Sequence, residues 1–174
     1  MPHFPIAVIN YAVYSLDQIA SYLGMADMTL SDVQHEVASI KGAGVFGTID
    51  HPILGHTTNL TTTLNFHTPN RDAIRFMQQR GRQIEARAAM EIYDSAAGDI
   101  DPHGMRFVMR TLPQGLTLGS LEVAAASGTS VTLTVTSLTI YDGDDRVFEH
   151  DKFGGKFEIE GTDYGAQVRS ILGF

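Results

Sequence analysis

Asn59, Thr61, Thr63 and Asn65 alternate with Leu60, Thr62, Leu64 and Phe66, the two-residue period of a strand with one buried and one solvated face. The solvated face is polar, short-chained and uncharged. Gln83 to Tyr93 alternates in the same way, with Ile84, Ala86, Ala88, Met90 and Ile92 inward and Gln83, Glu85, Arg87, Glu91 and Tyr93 outward. Met105, Phe107 and Met109 oppose Arg106, Val108 and Arg110 in a third strand, which Pro113-Gln114-Gly115 is expected to turn. In Ser130 to Tyr141 the inward set Val131, Leu133 and Val135 slips to Leu138 and Ile140, the signature of a bulge near Ser137. Asp142-Gly143 is a hairpin signal, and Val147 to Ile159 supplies the returning strands. Asn10 to Leu16 alternates as a strand, and Ile19 to Asp27 is a weaker apolar run. Ser31 to Ile40 fits either period.

Two segments predict short helices. Thr68 is a good N-cap, Pro69 suits the first helical position and Asp72 suits the first turn. Ala73, Ile74, Phe76 and Met77 then form an apolar stripe that ends at Gly81. Asp163 to Leu172 reads as a closing helix burying Tyr164, Val168, Ile171 and Leu172. Residues 1–9 hold two prolines without periodicity and predict an N-terminal arm; Asp94 to Gly104 reads as a polar loop. These elements predict a mainly β fold with one or two short helices. Two packed antiparallel sheets result, a β-sandwich or partly open barrel.

At 174 residues the chain is expected to form a single domain, with a hydrophobic content of 43% and a charged content of 18%. No apolar run has the length of a membrane span, so membrane insertion by the monomer is not expected. The absence of cysteine excludes disulfides, thiolate nucleophiles and zinc–thiolate sites. The net charge of −8 is concentrated in acids late in the chain, while most arginines lie in its middle third. Tight binding to a phosphate backbone needs a basic domain or face, so the arginines read first as scattered surface and interface residues; the split also suggests complementary faces on repeated copies.

Gly42-Ala43-Gly44-Val45-Phe46-Gly47 matches the dinucleotide fingerprint letter for letter. That fingerprint needs a helix after the glycines and an acid about 20 residues on. Here Thr48, Ile49 and Pro52 oppose a helix, and the distal acid is missing. What remains is a glycine-rich mobile loop feeding a strand. His51 and His56 lack further metal ligands nearby, and His150, between Glu149 and Asp151, reads as part of a solvated charge cluster. The acids at Asp99–Asp101 and Asp142–Asp145 lack the distal glutamate of a calcium loop. At about 3.3 Å per residue, Glu85 and Glu91 stand too far apart for a glycosidase pair. No catalytic or metal site is expected, nor a cofactor. A binding module for carbohydrate or a partner protein is the alternative, though no tryptophan is available for a sugar platform.

An ordered series of short motifs carries a family resemblance. It runs from Ile40-Lys41-Gly42-Ala43-Gly44 through Gly47-x-Ile49-Asp50-x-Pro52-x-Leu54-Gly55-His56 to Leu64-Asn65-Phe66-x-Thr68. It continues with Arg87-Ala88, Tyr93-Asp94-Ser95, Leu112-Pro113 and Leu116-x-Leu118-Gly119, and ends with Asp163-Tyr164 and Val168-Arg169-Ser170-x-Leu172-Gly173. In this the chain resembles the major tail tube protein of contractile-tailed bacteriophages and phage-tail-like bacteriocins. The resemblance favours strand from about Glu36. It implies homo-hexameric rings stacked into the inner tube of a virion tail, made in the host bacterial cytoplasm. A sheath protein lies outside, and baseplate and tail terminator proteins lie at the ends. The tube would be a conduit for DNA, passed without specific binding, or a membrane-puncturing needle.

On that reading residues 41–57 are a mobile assembly loop. Gly42, Gly44 and Gly47 give it freedom, and Val45, Phe46, Ile49, Pro52, Ile53 and Leu54 give it apolar surface for ring stacking. A bore for DNA should carry no basic stripe, because each lysine or arginine facing it adds adhesion. Asn59, Thr61, Thr63 and Asn65, with Glu85 and Glu91, are therefore the candidate lumen-facing residues.

Overall fold

In the computed structural model, which describes residues 3–16, 21–22, 26–96 and 98–173, the alternation becomes burial. The elements in order are β1 (His3–Ser15), β2 (Ser21–Tyr22), β3 (Ala26–Thr29), β4 (His35–Ile40), β5 (Ile49–Thr57), β6 (Leu60–Phe66) and α1 (Arg71–Arg75). After these come β7 (Arg82–Asp94), β8 (Asp99–Thr117), β9 (Thr129–Asp142), β10 (Asp145–Asp151), β11 (Lys156–Ile159), β12 (Thr162–Asp163) and α2 (Ala166–Leu172). The apolar run expected from Ile19 to Asp27 lies partly outside the described residues.

Among the described residues, ten strands form one antiparallel sheet, and β4 pairs with β5 in a second, two-stranded one. The large sheet turns back on itself where β8 and β9 change register, between Arg110 and Thr111. Thr136 is the extra residue on β9. Its carbonyl accepts from the Lys152 amide and its hydroxyl donates to the Arg110 carbonyl. That places the expected bulge one residue from Ser137 and explains the phase slip: β9 buries Val131, Leu133 and Val135 before the bulge and Leu138 after it.

The first layer runs β12-β11-β10-β9-β8-β7-β1-β2, using the halves of β8 and β9 nearer the Asp142 turn. The second layer is β3-β6-β9-β8, where β6 pairs along residues 129–135 of β9 and those pair with residues 111–117 of β8. One buried cluster joins the layers, with Leu60, Leu64, Val131, Leu133 and Val135 from the second and Val13, Ile84, Met109 and Leu138 from the first. The Thr62 hydroxyl, buried in this apolar cluster, is satisfied by the Thr29 carbonyl at 2.7 Å.

Several elements depart from the sequence reading. Residues 3–9, expected as an irregular arm, extend β1 along β7, with bulges near Ile6 and Ile9. The loop expected from Asp94 to Gly104 shrinks to a tip after Asp94; β8 already runs from Asp99, because β7 pairs with it through Asp94↔Asp99. Pro113-Gln114-Gly115 does not turn the strand but makes a second bulge in β8. The first helix is capped by Asn70, whose side chain accepts from the Ala73 amide, rather than by Thr68. It spans only Arg71–Arg75; Ala73 and Phe76 are buried, and Ile74 faces out. The closing helix α2 forms but buries none of its residues.

Candidate assembly surfaces

The outward face of the second layer is built by cross-strand register. Thr61 sits opposite Thr134, Thr63 opposite Thr132 and Asn65 opposite Ser130, while Thr29 pairs with Thr63 on the other side. β-branched threonines suit this pleated surface, and like pairs across strands support it. Thr61, Thr63 and Asn65 thus share one surface with Ser130, Thr132 and Thr134, and Asn59, just before β6, is exposed. Reading β9 only for its buried set misses these partners; the Ser-x-Thr-x-Thr alternation between its apolar residues is the signal that finds them. No lysine or arginine stands on these strand positions, and Asp27, opposite Asn65, is the acid at the rim. Both long edges of this layer are open among the described residues: β3 pairs only with β6, and β8 beyond Thr111 pairs only with β9.

Glu85 and Glu91 do not share that surface. They lie on the outward side of the first layer, across the core from the threonines. Glu85 is only 5% exposed, covered by Arg87, whose guanidinium donates to its carboxylate. This partner raises the Arg87 pKa further above the arginine range. Glu91 stands where β7 overhangs the core with β1 and β8. Pairing the two glutamates with the threonines as one lumen set is therefore corrected: a two-layer body points the two sets in opposite directions.

Toward β10, β11 and α2, the first layer's outward side carries a lattice of ion pairs. Arg146 reaches Glu149 and Glu158, both at 2.6 Å, and Lys156 reaches the same two glutamates at 2.6 and 3.1 Å. Arg169 holds Asp163 at 2.6 Å and ties α2 to the sheet. Hydrogen bonds from these cations hold the Glu158 and Asp163 carboxyls below their ordinary range.

The segment read as one mobile loop from 41 to 57 is a loop only over residues 41–48; from Ile49 it is strand β5, paired back on β4. Gly42, Gly44 and Gly47 all take positive φ at the tip, conformations that side chains resist. The glycines lead into a strand, so the fingerprint has no helix N-terminus to offer a phosphate. Every residue of β4 is exposed. Phe46 at the tip is fully exposed, at 108%, and Ile49, Pro52, Ile53 and Leu54 are exposed along β5. Val45 is half-buried.

The hairpin joins the body at its base. His150, expected in a solvated cluster, is 3% exposed because β10 turns it inward between its outward acidic neighbours. Its Nδ1 donates to the Lys156 carbonyl at 3.0 Å, leaving Nε2 to accept from the Thr57 hydroxyl at 2.8 Å. Burial pushes its pKa below the usual histidine value. Lys152 Nζ donates to the Thr58 carbonyl at 2.6 Å, and the His35 ring leans on Phe157. Beside this base, α2 exposes Val168, Ile171 and Leu172, with Tyr164 just before it. The expectation that this face is buried is corrected; Arg169 fixes the helix by its polar side and leaves the apolar side outward.

No group of three or more histidine, aspartate or glutamate residues stands close enough to hold a metal among the described residues. No helix is long and apolar enough to cross a membrane among them.

A family model described as "Phage tail tube protein FII" matches residues 7–173. Among solved structures, the chain is similar to the sheath/tube terminator of an extracellular contractile injection system in its extended state. That match has a TM-score of 0.52 and 15% identity, covering 79% of this chain and 97% of the other. It is also similar to a chain of the anti-feeding prophage tube-terminating cap, with a TM-score of 0.54 and 13% identity over 80% and 92% of the two chains. A chain of the anti-feeding prophage baseplate gives a TM-score of 0.57 at 10% identity, covering 82% and 99%. At such identities these likenesses concern the fold. No curated protein sequence matches.

Proposed function

The chain belongs to the phage tail tube protein FII family and is a structural component of a tail tube; from that premise we propose that its second layer is the wall of the bore. The observation that carries this reading is the hydroxyl and amide face of β6 and β9, flanked by Asp27 on β3 and Leu112 on β8 and bounded by two strand edges that are unpaired among the described residues. Exposed edges invite pairing with another chain. β3 of one copy and residues 111–117 of β8 in the next are different edges of the same layer. Their union is head-to-tail, which closes into a ring when the rotation permits. Six copies giving four strands each, spaced about 4.8 Å and tilted near 40°, close at a backbone diameter of about 48 Å.

Asn59, Thr61, Thr63, Asn65, Ser130, Thr132 and Thr134 then face the bore. They give it hydrogen-bonding groups that water satisfies and no positive charge to hold a phosphate backbone. The hairpin tip at Phe46 and the apolar side of α2 meet neighbouring copies in the stack. The solved neighbours include a sheath–tube complex, a terminator, a cap and a baseplate, so a sheath outside and closing proteins at the ends are the partners proposed here. The role is mechanical, in the tail of a phage-like particle made in the host cytoplasm, and no catalysis is assigned.

The test uses the cysteine-free background. Thr63→Cys and Thr132→Cys variants are offered a thiol reagent too large to diffuse along the bore, before and after assembly, with electron microscopy to score rings and tubes. Labelling of the free chain but not of interior tube thiols is expected. Equal labelling in tubes places this face outside and ends the proposal.

A further inference from the structure

The first layer's outward side has a gap in its charge pairing. Arg146, Lys156 and Arg169 each hold a carboxylate there, whereas Arg106 and Arg110 make no ion pair among the described residues. Arg106 also stands directly opposite Arg87 in the β7–β8 register. Like charges so placed destabilise a sheet. Each arginine lies over a tyrosine ring, Arg106 at 4.0 Å from the Tyr141 centroid and Arg87 at 5.2 Å from that of Tyr14. Glu85 answers Arg87 alone. A hollow of about 420 Å³ opens beside the pair, with Gly104 and Gly143 also lining it. Asp144 borders it without reaching either arginine. The cost of keeping two cations face to face is offset if a carboxylate arrives from outside.

The same chain carries the complement. Where β7 and β8 overhang the core, pairing runs on from Ala88↔Met105 to Asp94↔Asp99, an extension of about 20 Å. Residues 88–105 hold Glu91, Asp94, Asp99 and Asp101 and no lysine or arginine. Asp99 and Asp101 are exposed. A straight strand separates Asp99 from Arg106 of its own copy by about 23 Å, so the tip cannot answer its own arginines. We infer that the acidic tip of the β1–β7–β8 arm of one copy docks on the Arg106–Arg110 face of the next. The contact rests on the tube reading and adds to strand-edge pairing an electrostatic latch on the opposite layer. Because one end of the chain's first layer meets another, the contact is head-to-tail and fixes the direction in which copies join.

The experiment is a charge swap in the full-length protein, read as the concentration at which rings or tubes form by sedimentation and electron microscopy. The Arg106→Glu/Arg110→Glu pair and the Asp99→Arg/Asp101→Arg pair are each expected to raise that concentration about tenfold or more. The variant with all four changes should recover it. The milder Arg106→Gln/Arg110→Gln pair, which loses attraction without adding repulsion, should fall between. Thermal melting of each unassembled chain confirms folding. Either reversed pair assembling like the parent overturns the latch, as does failure of the four-fold variant to recover, and both leave the tube reading intact. A parent chain that forms neither rings nor tubes at high concentration overturns the tube reading and the latch with it.

Discussion

Phe46 is where the stability of the chain and that of its proposed assembly can be separated. At 108% exposure it touches nothing that a folded monomer needs. Replacing it with aspartate should change monomer stability by no more than about 0.5 kcal/mol, the usual range for a surface change. In the tube the same ring is expected to be covered by a neighbouring copy. Full burial of a phenylalanine side chain contributes about 1.5–3 kcal/mol. Its loss, before any cost of burying a carboxylate, raises the concentration needed for stacking by roughly tenfold to a hundredfold. Thermal melting reads the first quantity; sedimentation with electron microscopy reads the second. Leu64→Ala is the control with the opposite profile. Leu64 is fully buried, so about 2–5 kcal/mol should be lost from the monomer itself. Phe46→Asp chains that build normal tubes refute the stacking role of the hairpin tip. Chains that fail to fold refute the exposure on which the argument rests.

Gly119→Ala should destabilise the chain by at least about 2–3 kcal/mol in urea titration, because a Cβ there would lie 1.7 Å from the Ser127 carbonyl oxygen at a φ of +77°; Gly161→Ala, at +79° with open space around it, should cost only about 1 kcal/mol. His150 is held neutral by burial and its folded pKa is depressed, so the unfolded chain binds the proton first. Stability should be full above the ordinary histidine pKa of about 6.5 and decline as pH falls below it; the melting temperature of His150→Gln should fall less steeply there, and equal slopes would remove His150 as the cause. Asn65→Lys combined with Thr134→Lys, which do not face each other in register, should leave tubes intact but make them retain nucleic acid at low salt and release it at high salt, and salt-independent behaviour like the parent's would place this face away from the cargo.

The parts of the fold that the sequence makes legible are those where a strand meets its own chain. In β6 and β9, Leu60, Leu64, Val131 and Val135 face inward against a core this chain supplies, so the period of two is clean and even the bulge shows as a slip of phase. Asp142-Gly143 specifies its hairpin because the turn conformation, with Gly143 at a φ of +59°, is a local demand. Where partner strands rather than side chains set the structure, the pattern is silent. Asp99 to Gly104 contains a proline and two acids, and is strand only because β7 lies beside it in register. Residues 3–9 carry no periodicity because, beyond the core, Ile6, Val8 and Ile9 are all exposed and neither side is selected for burial by this chain alone.

The candidate assembly surfaces are only half legible for the same physical reason. A pattern of apolar residues says that they will be buried, not in which copy the covering atoms lie. Tyr164, Val168, Ile171 and Leu172 have the spacing of a helix packed on a core, yet α2 presents them to solvent. The hairpin tip has the composition of a loop, yet β4 and β5 hold it out as a two-stranded rib, an arrangement only marginally stable by itself in water. Its base, fixed by Thr57 on His150 and Lys152 on Thr58, supplies the anchorage, while its apolar surface stays exposed in the single chain. Sequence gives Glu85 and Glu91 and the threonines the same absence of positive charge, but which side of the two-layer body they face is set by the layers. For this chain the folded monomer completes the core but leaves the apolar accounting open. Phe46 and Ile171 are among the residues that remain uncovered, and in the proposed assembly neighbouring copies supply their cover.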